Sequence, residues 1–188
     1  SDKSCGPTYY GLTKRLMEGI FRQACEWGTT EFVQCRYGNV LGSSNSILPL
    51  FLKQKQENSP FTITSLKMSR FWMTMKQAID LIVYTDLHAK GGQIVVPKCS
   101  ASPLVSLAKA VDPDREIVEI GIRPGERLHE TLIVREEAMH TEDIGNYFVI
   151  YPPTEKVSSP LPFQYEYTSD KPEHELTVDE LREMIGET

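Results

Sequence analysis

The sequence predicts an α/β fold on three observations. A helix, a short apolar strand, a Gly/Ser loop and a second helix follow one another within the first 56 residues, the order of a sheet whose strands run parallel. Beyond Pro60, shorter strands alternate with helices. The composition is that of an ordinary globular chain, with 188 residues, 40% hydrophobic and 24% charged.

Residues 9–27 place Leu12, Leu16, Met17, Ile20, Phe21 and Ala24 at helical spacing. Pro7 and Thr8 suit the start of that helix, and Gly28 its end. Residues 31–37 read as a buried strand, 38–45 as a Gly/Ser loop and 46–56 as a helix. Residues 61–64 and 70–74 fit strands. Residues 76–88 form an amphipathic helix stopped by Gly91 and Gly92. A strand over 93–96, a helix over 103–111 and a strand over 116–121 follow. Residues 130–135 fit helix or strand, and 147–151 a strand ending at Pro152-Pro153. The polar, Pro-rich residues 154–175 read as an extended surface segment. The last helix, 177–185, opens with Thr177 three residues before Glu180, a capping-box arrangement. One long α/β crossover is too few for a doubly wound sheet. Further strands are expected from the rest of a longer chain or from a second chain; without them the product would be unstable.

Acidic residues outnumber basic ones, 26 to 20, for a net charge of −6. That balance argues against a nucleic-acid or anionic-membrane surface, which would favour clustered Lys and Arg. An anionic small molecule is still accommodated where a few arginines converge. The longest apolar stretch, Ile47-Leu48-Pro49-Leu50-Phe51-Leu52, is far short of the roughly 20 residues a membrane helix needs. No signal-peptide pattern opens the chain. Cys5, Cys25, Cys35 and Cys99 show no CxxC spacing and read as thiols in a reducing compartment. His88, His129, His140 and His174 are scattered, so no metal site is expected. The sequence starts at Ser1 with its densest motif inside the first fourteen residues, which reads as a fragment.

Tyr10 and Lys14 form YxxxK within the first helix and share one helical face. A phenol with an ordinary pKa of about 10 is a poor base near neutrality. A neighbouring ammonium favours phenolate and makes proton transfer accessible. Taken alone, the pair reads first as an ordinary helical Tyr–Lys contact.

Its neighbours change that reading. Ser1-Asp2-Lys3 precedes Tyr10-Gly11-Leu12-Thr13-Lys14. Arg36-Tyr37-Gly38-Asn39-Val40-Leu41-Gly42-Ser43 and Met68-Ser69-Arg70-Phe71-Trp72 follow, then Gly121-Ile122-Arg123-Pro124-Gly125-Glu126-Arg127-Leu128-His129-Glu130. In this order the set resembles the extended short-chain dehydrogenase/reductases. Within them it is most similar to the UDP-N-acetylglucosamine 4,6-dehydratase (polysaccharide biosynthesis) family. The resemblance covers nearly all of residues 1–185. RYGNVxGS and RPGERLHE carry most of its specificity.

The resemblance implies the C-terminal part of a Rossmann-type doubly wound parallel sheet plus a small mixed α/β substrate-binding lobe. Residues 1–60 would close the dinucleotide-binding domain, 61–153 form the nucleotide-sugar lobe, and 154–188 an extended tail with a C-terminal helix. It implies NADP or NAD, tightly bound and regenerated each turnover, with most of its site outside this chain. Tyr10 would accept the sugar 4-hydroxyl proton, and Lys14 would hold the nicotinamide ribose and tune Tyr10. Asp2 would protonate the leaving 6-hydroxyl and Lys3 would take the C5 proton. Tyr37, Gly38, Asn39 and Val40 would lie against the nicotinamide, with Asn39 also touching the sugar nucleotide. Arg70 and Arg123 would neutralise the UDP diphosphate, since guanidinium forks suit phosphate oxygens. Glu126 would orient the Arg123 turn or bind ribose, whereas His129 and Glu130 read as structural and Phe71 and Trp72 as core. The implied partners are a UDP-sugar substrate and the missing N-terminal Rossmann half, in the same gene or a separate chain. A cytoplasmic homo-oligomer is expected when complete.

Several positions depart from the family pattern. No Gly-rich dinucleotide turn is present, nor the acidic residue that selects NAD over NADP, so the chain alone is expected to be inactive. Ser1 replaces the usual Thr, Pro7 to Tyr10 is one residue short, and Ser65 stands where Asp is common. The retained Tyr10 favours the C5-inverting type. A nucleotide-sugar 4-epimerase or reductase on the same scaffold is an alternative, in which Asp2-Lys3 has no elimination role. A non-catalytic remnant, or one half of a split protein, is another.

Overall fold

The computed structural model describes residues 8–44 and 46–186. α1 (Tyr9–Ala24) is followed by β1 (Gln34–Cys35), β2 (Asn39–Val40), α2 (Ile47–Gln56) and β3 (Phe61–Ile63). Next come β4 (Ser69–Met73), α3 (Met75–His88), β5 (Ile94–Pro97), β6 (Ser100–Pro103) and α4 (Leu104–Val111). β7 (Ile117–Glu119), β8 (Thr131–Ile133) and a 3-10 helix (Arg135–His140) lead to β9 (Thr141–Asp143) and β10 (Tyr147–Ile150). β11 (Tyr167–Thr168) and α5 (Val178–Gly186) are the last. The chain forms two compact units. One comprises Ser1–Tyr37, Ala78–Lys98 and Thr131–Thr168, the other Gly38–Gln77, Cys99–Glu130 and Ser169–Thr188.

The first unit carries a four-stranded sheet in the order β1-β5-β10-β9. β1 pairs with β5 in parallel, Gln34 opposite Ile94, and β10 runs antiparallel to both of its neighbours. Ile94, Val95 and Val96 are all buried, as a strand covered on both faces requires. β8 pairs with β11, and Tyr167 of β11 is only 1% exposed, its ring 5.2 Å from that of Phe148. Residues 154–168 are therefore not merely a surface tail. Pro160 also bridges Glu142, and the Leu161 amide donates to the Thr141 carbonyl. The polar composition concealed this because the anchoring residues are few and widely spaced.

α1 begins as expected: Thr8 caps it, its hydroxyl accepting from the Gly11 amide at 3.0 Å. Its orientation differs from expectation. Gly11 and Glu18 are its buried residues, while Leu12, Leu16 and Ile20 are exposed. The helix is held by the Phe21–Phe32 ring contact at 5.4 Å, by the Glu18–Arg36 ion pair and by hydrogen bonds. Arg22 donates to the Gly92 carbonyl and Gln34 to the Glu18 carbonyl.

The second unit contains β2-β4-β6 and a separate parallel pair, β3 with β7. β2 runs parallel to β4, placing Asn39 opposite Trp72, and β6 runs antiparallel to β4. Leu48 and Phe51 of α2, Phe61 and Ile63 of β3, Leu104 and Leu107 of α4 and Leu181 of α5 build its core. The Phe51 and Phe61 rings lie 4.8 Å apart. Each such side chain contributes about 1.5–3 kcal/mol on burial. Phe71 and Trp72 are buried as expected, Trp72 donating its indole N–H to Ser102. β2 and β6 were not expected from the sequence, and the ambiguous 130–135 segment is resolved as β8. The two units cut across the consecutive 1–60, 61–153 and 154–188 segments, because the chain passes from one to the other several times.

Candidate active site

In the first unit, Tyr10 and Lys14 stand one turn apart on α1, with the Lys14 ammonium 5.2 Å from the centre of the Tyr10 ring. Tyr10 is 55% exposed. Lys14 and Tyr37 line one cavity of about 340 Å³ whose floor is apolar, with Phe21, Phe32 and Val33. Cys35 also faces it, but burial pushes its thiol up, which keeps it protonated and a poor nucleophile.

Below this pair lies a network the sequence did not reveal. Arg36 is 1% exposed, and all five of its donors are used. Nε and Nη2 bind the two Glu18 oxygens at 3.0 and 2.7 Å. Nη1 and Nη2 bind the two Glu137 oxygens at 2.7 Å each, and Nη1 also reaches the Leu132 carbonyl at 2.8 Å. A buried guanidinium requires such complete pairing. Burial alone would push the Glu137 carboxyl up, but the Arg36 hydrogen bonds and charge outweigh it and hold it below the ordinary value. In the sequence Arg36 was only the first letter of a motif, and neither glutamate had any local signature.

In the second unit, Asn39 is fixed by Glu130. Its amide nitrogen donates to both Glu130 oxygens at 2.9 Å and to the Phe71 carbonyl at 3.0 Å. Glu130 also accepts from the Phe71 amide at 2.9 Å and faces Arg70 Nε at 3.5 Å. With its nitrogen so engaged, Asn39 presents its carbonyl oxygen as the remaining acceptor. Gly38 is needed because a Cβ there would lie 2.4 Å from Phe71 Cβ. The close approach is to β4. Val40 pairs with Met73.

Arg70 turns its guanidinium onto its own chain. Nη1 donates to the Ser69 and Leu128 carbonyls at 2.7 and 3.0 Å, and Nη2 to the Arg127 carbonyl at 3.1 Å and Met68 Sδ at 3.3 Å. It braces the segment that ends in His129 and Glu130. Ser69 joins that brace, its hydroxyl 2.8 Å from both His129 Nδ1 and the Ser169 hydroxyl, while Ser169 accepts from the Glu130 amide. Ser69 and Ser169 were missed because neither type nor spacing marks a buried serine. Arg123 is exposed on a turn closed by Glu126, whose carboxylate accepts from the Arg123 amide at 3.1 Å while the Glu126 amide donates back at 3.0 Å. Gly125 supplies the positive φ of 86°. Asp2 and Lys3 lie outside the described residues. Among the described residues no group of His, Cys, Asp and Glu could hold a metal ion, and no helix is long and apolar enough to cross a membrane.

The mixed α/β fold with parallel strand pairs is of the Rossmann type, the class its solved structural neighbours share. The chain belongs to the polysaccharide biosynthesis protein family, whose model matches residues 1–152. It is 30% identical, over its whole length, to UDP-N-acetylglucosamine 4,6-dehydratase (inverting) of Campylobacter jejuni, covering 62% of that protein. It is 36% identical to UDP-glucose 4-epimerase of Rickettsia akari over 80% of this chain and 46% of that one. The crystal structure of Pen from Bacillus thuringiensis superposes with a TM-score of 0.82 at 33% identity, covering 95% of this chain and 57% of that one. The chain thus spans less than two thirds of each of these relatives.

Proposed function

We propose that this chain carries the proton-transfer residues and the sugar-nucleotide pocket of a UDP-N-acetylglucosamine 4,6-dehydratase that inverts C5. The Tyr10–Lys14 pair, adjacent on α1 and facing out of it, carries the reading. The dehydratase similarity running the full length of the chain supports this reaction.

Tyr10 takes the 4-hydroxyl proton. Lys14, with its ammonium directed toward the Tyr10 ring, also has donors for ribose hydroxyls. A nicotinamide dinucleotide, for which Tyr10, Lys14 and Tyr37 of the first unit offer donors, would supply the hydride acceptor and donor when bound. These residues fit its nicotinamide end, since Lys14 and Tyr37 line a cavity with an apolar floor. Its diphosphate finds no Gly-rich turn in the 188 residues, so the polypeptide alone does not turn over. Lys3 removes the C5 proton, acidified by a 4-keto group, and Asp2 protonates the departing 6-hydroxyl. Asn39 offers its carbonyl oxygen to a donor on the sugar nucleotide, and Arg123 meets the diphosphate. Arg70 serves by bracing the 127–130 segment.

A 4-epimerase is the second reading, favoured by the 36% identity to the Rickettsia enzyme. Mixing the chain with the N-terminal part of the Campylobacter relative and UDP-N-acetylglucosamine separates the two. A product lighter by one water, lost in Lys3→Ala, is expected. A 4-epimer of unchanged mass, or substrate returned untouched, overturns the dehydratase reading.

A further inference from the structure

Lys14 and Glu18 stand at i and i+4 on α1 and line the same cavity. At that spacing an ammonium and a carboxylate pair readily on a helix surface. Here they do not, because both Glu18 oxygens already accept from Arg36, at 3.0 and 2.7 Å. The Lys14 ammonium lies toward Tyr10 instead, one turn the other way. The other cations one turn from Glu18 on the helix are Arg15, whose charge acts on Glu137, and Arg22, held by the Gly92 carbonyl at 3.0 Å and the Ile150 carbonyl at 3.5 Å. Of the three, Lys14 is the one that lines the same cavity as Glu18, and so the one an unsatisfied Glu18 would draw in.

We propose that Arg36 is a positioning residue for the Tyr10–Lys14 pair: by occupying both oxygens of Glu18 it keeps that carboxylate from capturing the Lys14 ammonium. The proposal rests on reading Tyr10 and Lys14 as the proton-transfer pair. Its chemistry is competition for one carboxylate. The charged groups around Glu18 are Arg36 from the end of β1 and Lys14 and Arg22 on its own helix. Glu137 acts through Arg36, and Arg15 acts on Glu137. Glu137 competes with Glu18 for the same guanidinium, so its removal leaves Arg36 more fully on Glu18.

The test follows the Lys14 side chain by carbon and nitrogen NMR titration in the 188-residue chain. It needs no turnover, so its failure is distinct from failure of the functional reading. With Arg36 in place, Glu18→Gln should leave the Lys14 midpoint unchanged. A fall on that substitution would show that Lys14 already pairs with Glu18, and would overturn the proposal. Arg36→Gln with Glu137→Gln leaves Glu18 as the remaining carboxylate of the cluster. The Lys14 midpoint should then rise by about 0.3 unit or more, as an ion pair gained on a helix surface implies. Adding Glu18→Gln to that pair should return it. A merely structural Arg36 predicts no rise and no return, which contradicts the proposal. Should the double variant fail to fold, Arg36→Gln alone is read in its place: with Glu137 kept beside Arg15, the Lys14 midpoint should again rise, and no rise would overturn the proposal.

Discussion

A buried carboxylate that accepts from Asn39, accepts from the Phe71 amide and faces Arg70 cannot be removed without orphaning those donors. Glu130→Ala should therefore cost about 3 kcal/mol in urea unfolding; a loss under about 1 kcal/mol would show that the second unit does not depend on it. Tyr10→Phe should behave in the opposite way. The side chain is half exposed, so its stability should change by no more than about 0.5 kcal/mol. Turnover by the complemented enzyme should nevertheless fall by at least about a hundredfold. Equal rates would remove Tyr10 from the chemistry. At this scale the sequence named Tyr10, Lys14, Asn39 and Arg123, whose types announce chemistry. It could not show that Arg70 turns back on carbonyls, because those partners lie nearly sixty residues away in the chain.

α5 shows how a local motif becomes an element. The Thr177 hydroxyl accepts from the Glu180 amide at 3.2 Å, and the Glu180 carboxylate accepts from the Thr177 amide at 2.8 Å. That amide, the Thr177 hydroxyl and His174 together hold the Glu180 carboxyl at about 2. Because the folded value is depressed, the stabilisation is present above the ordinary carboxylate range and is lost as the pH falls through about 2. An NMR titration of Glu180 in the folded chain should show that low midpoint, and an ordinary one would contradict the capping geometry. Thr177→Ala should lower the Tm by about 2–4 °C. This box was legible because its residues are three apart. β2 and β6 were not, since each is two to four residues long and exists only through pairing with β4, about thirty residues away, and β9 is a three-residue strand with no pattern of its own beside β10. α1 was legible as a helix, but not in its orientation: its apolar stripe is exposed while Glu18 is buried against Arg36.

The whole molecule was legible as α/β, and its division into units was not. Hydrophobic periodicity is read along the chain, whereas the units are assembled from segments that alternate between them. The buried network of Glu18, Arg36 and Glu137 also gives the first unit a pH dependence. Glu137 is held below its ordinary value, so its contribution is complete above about 4.5 and fades as the pH falls. Acid unfolding of Glu137→Gln should be flatter across that window than that of the parent chain; an identical profile would contradict the pairing. Most direct of all is solvent deuterium at C5. UDP-N-acetylglucosamine incubated in heavy water with the complemented chain should yield a 4-keto-6-deoxy product bearing deuterium at an inverted C5. A product with protium at C5 and its 6-hydroxyl intact would contradict the dehydratase account.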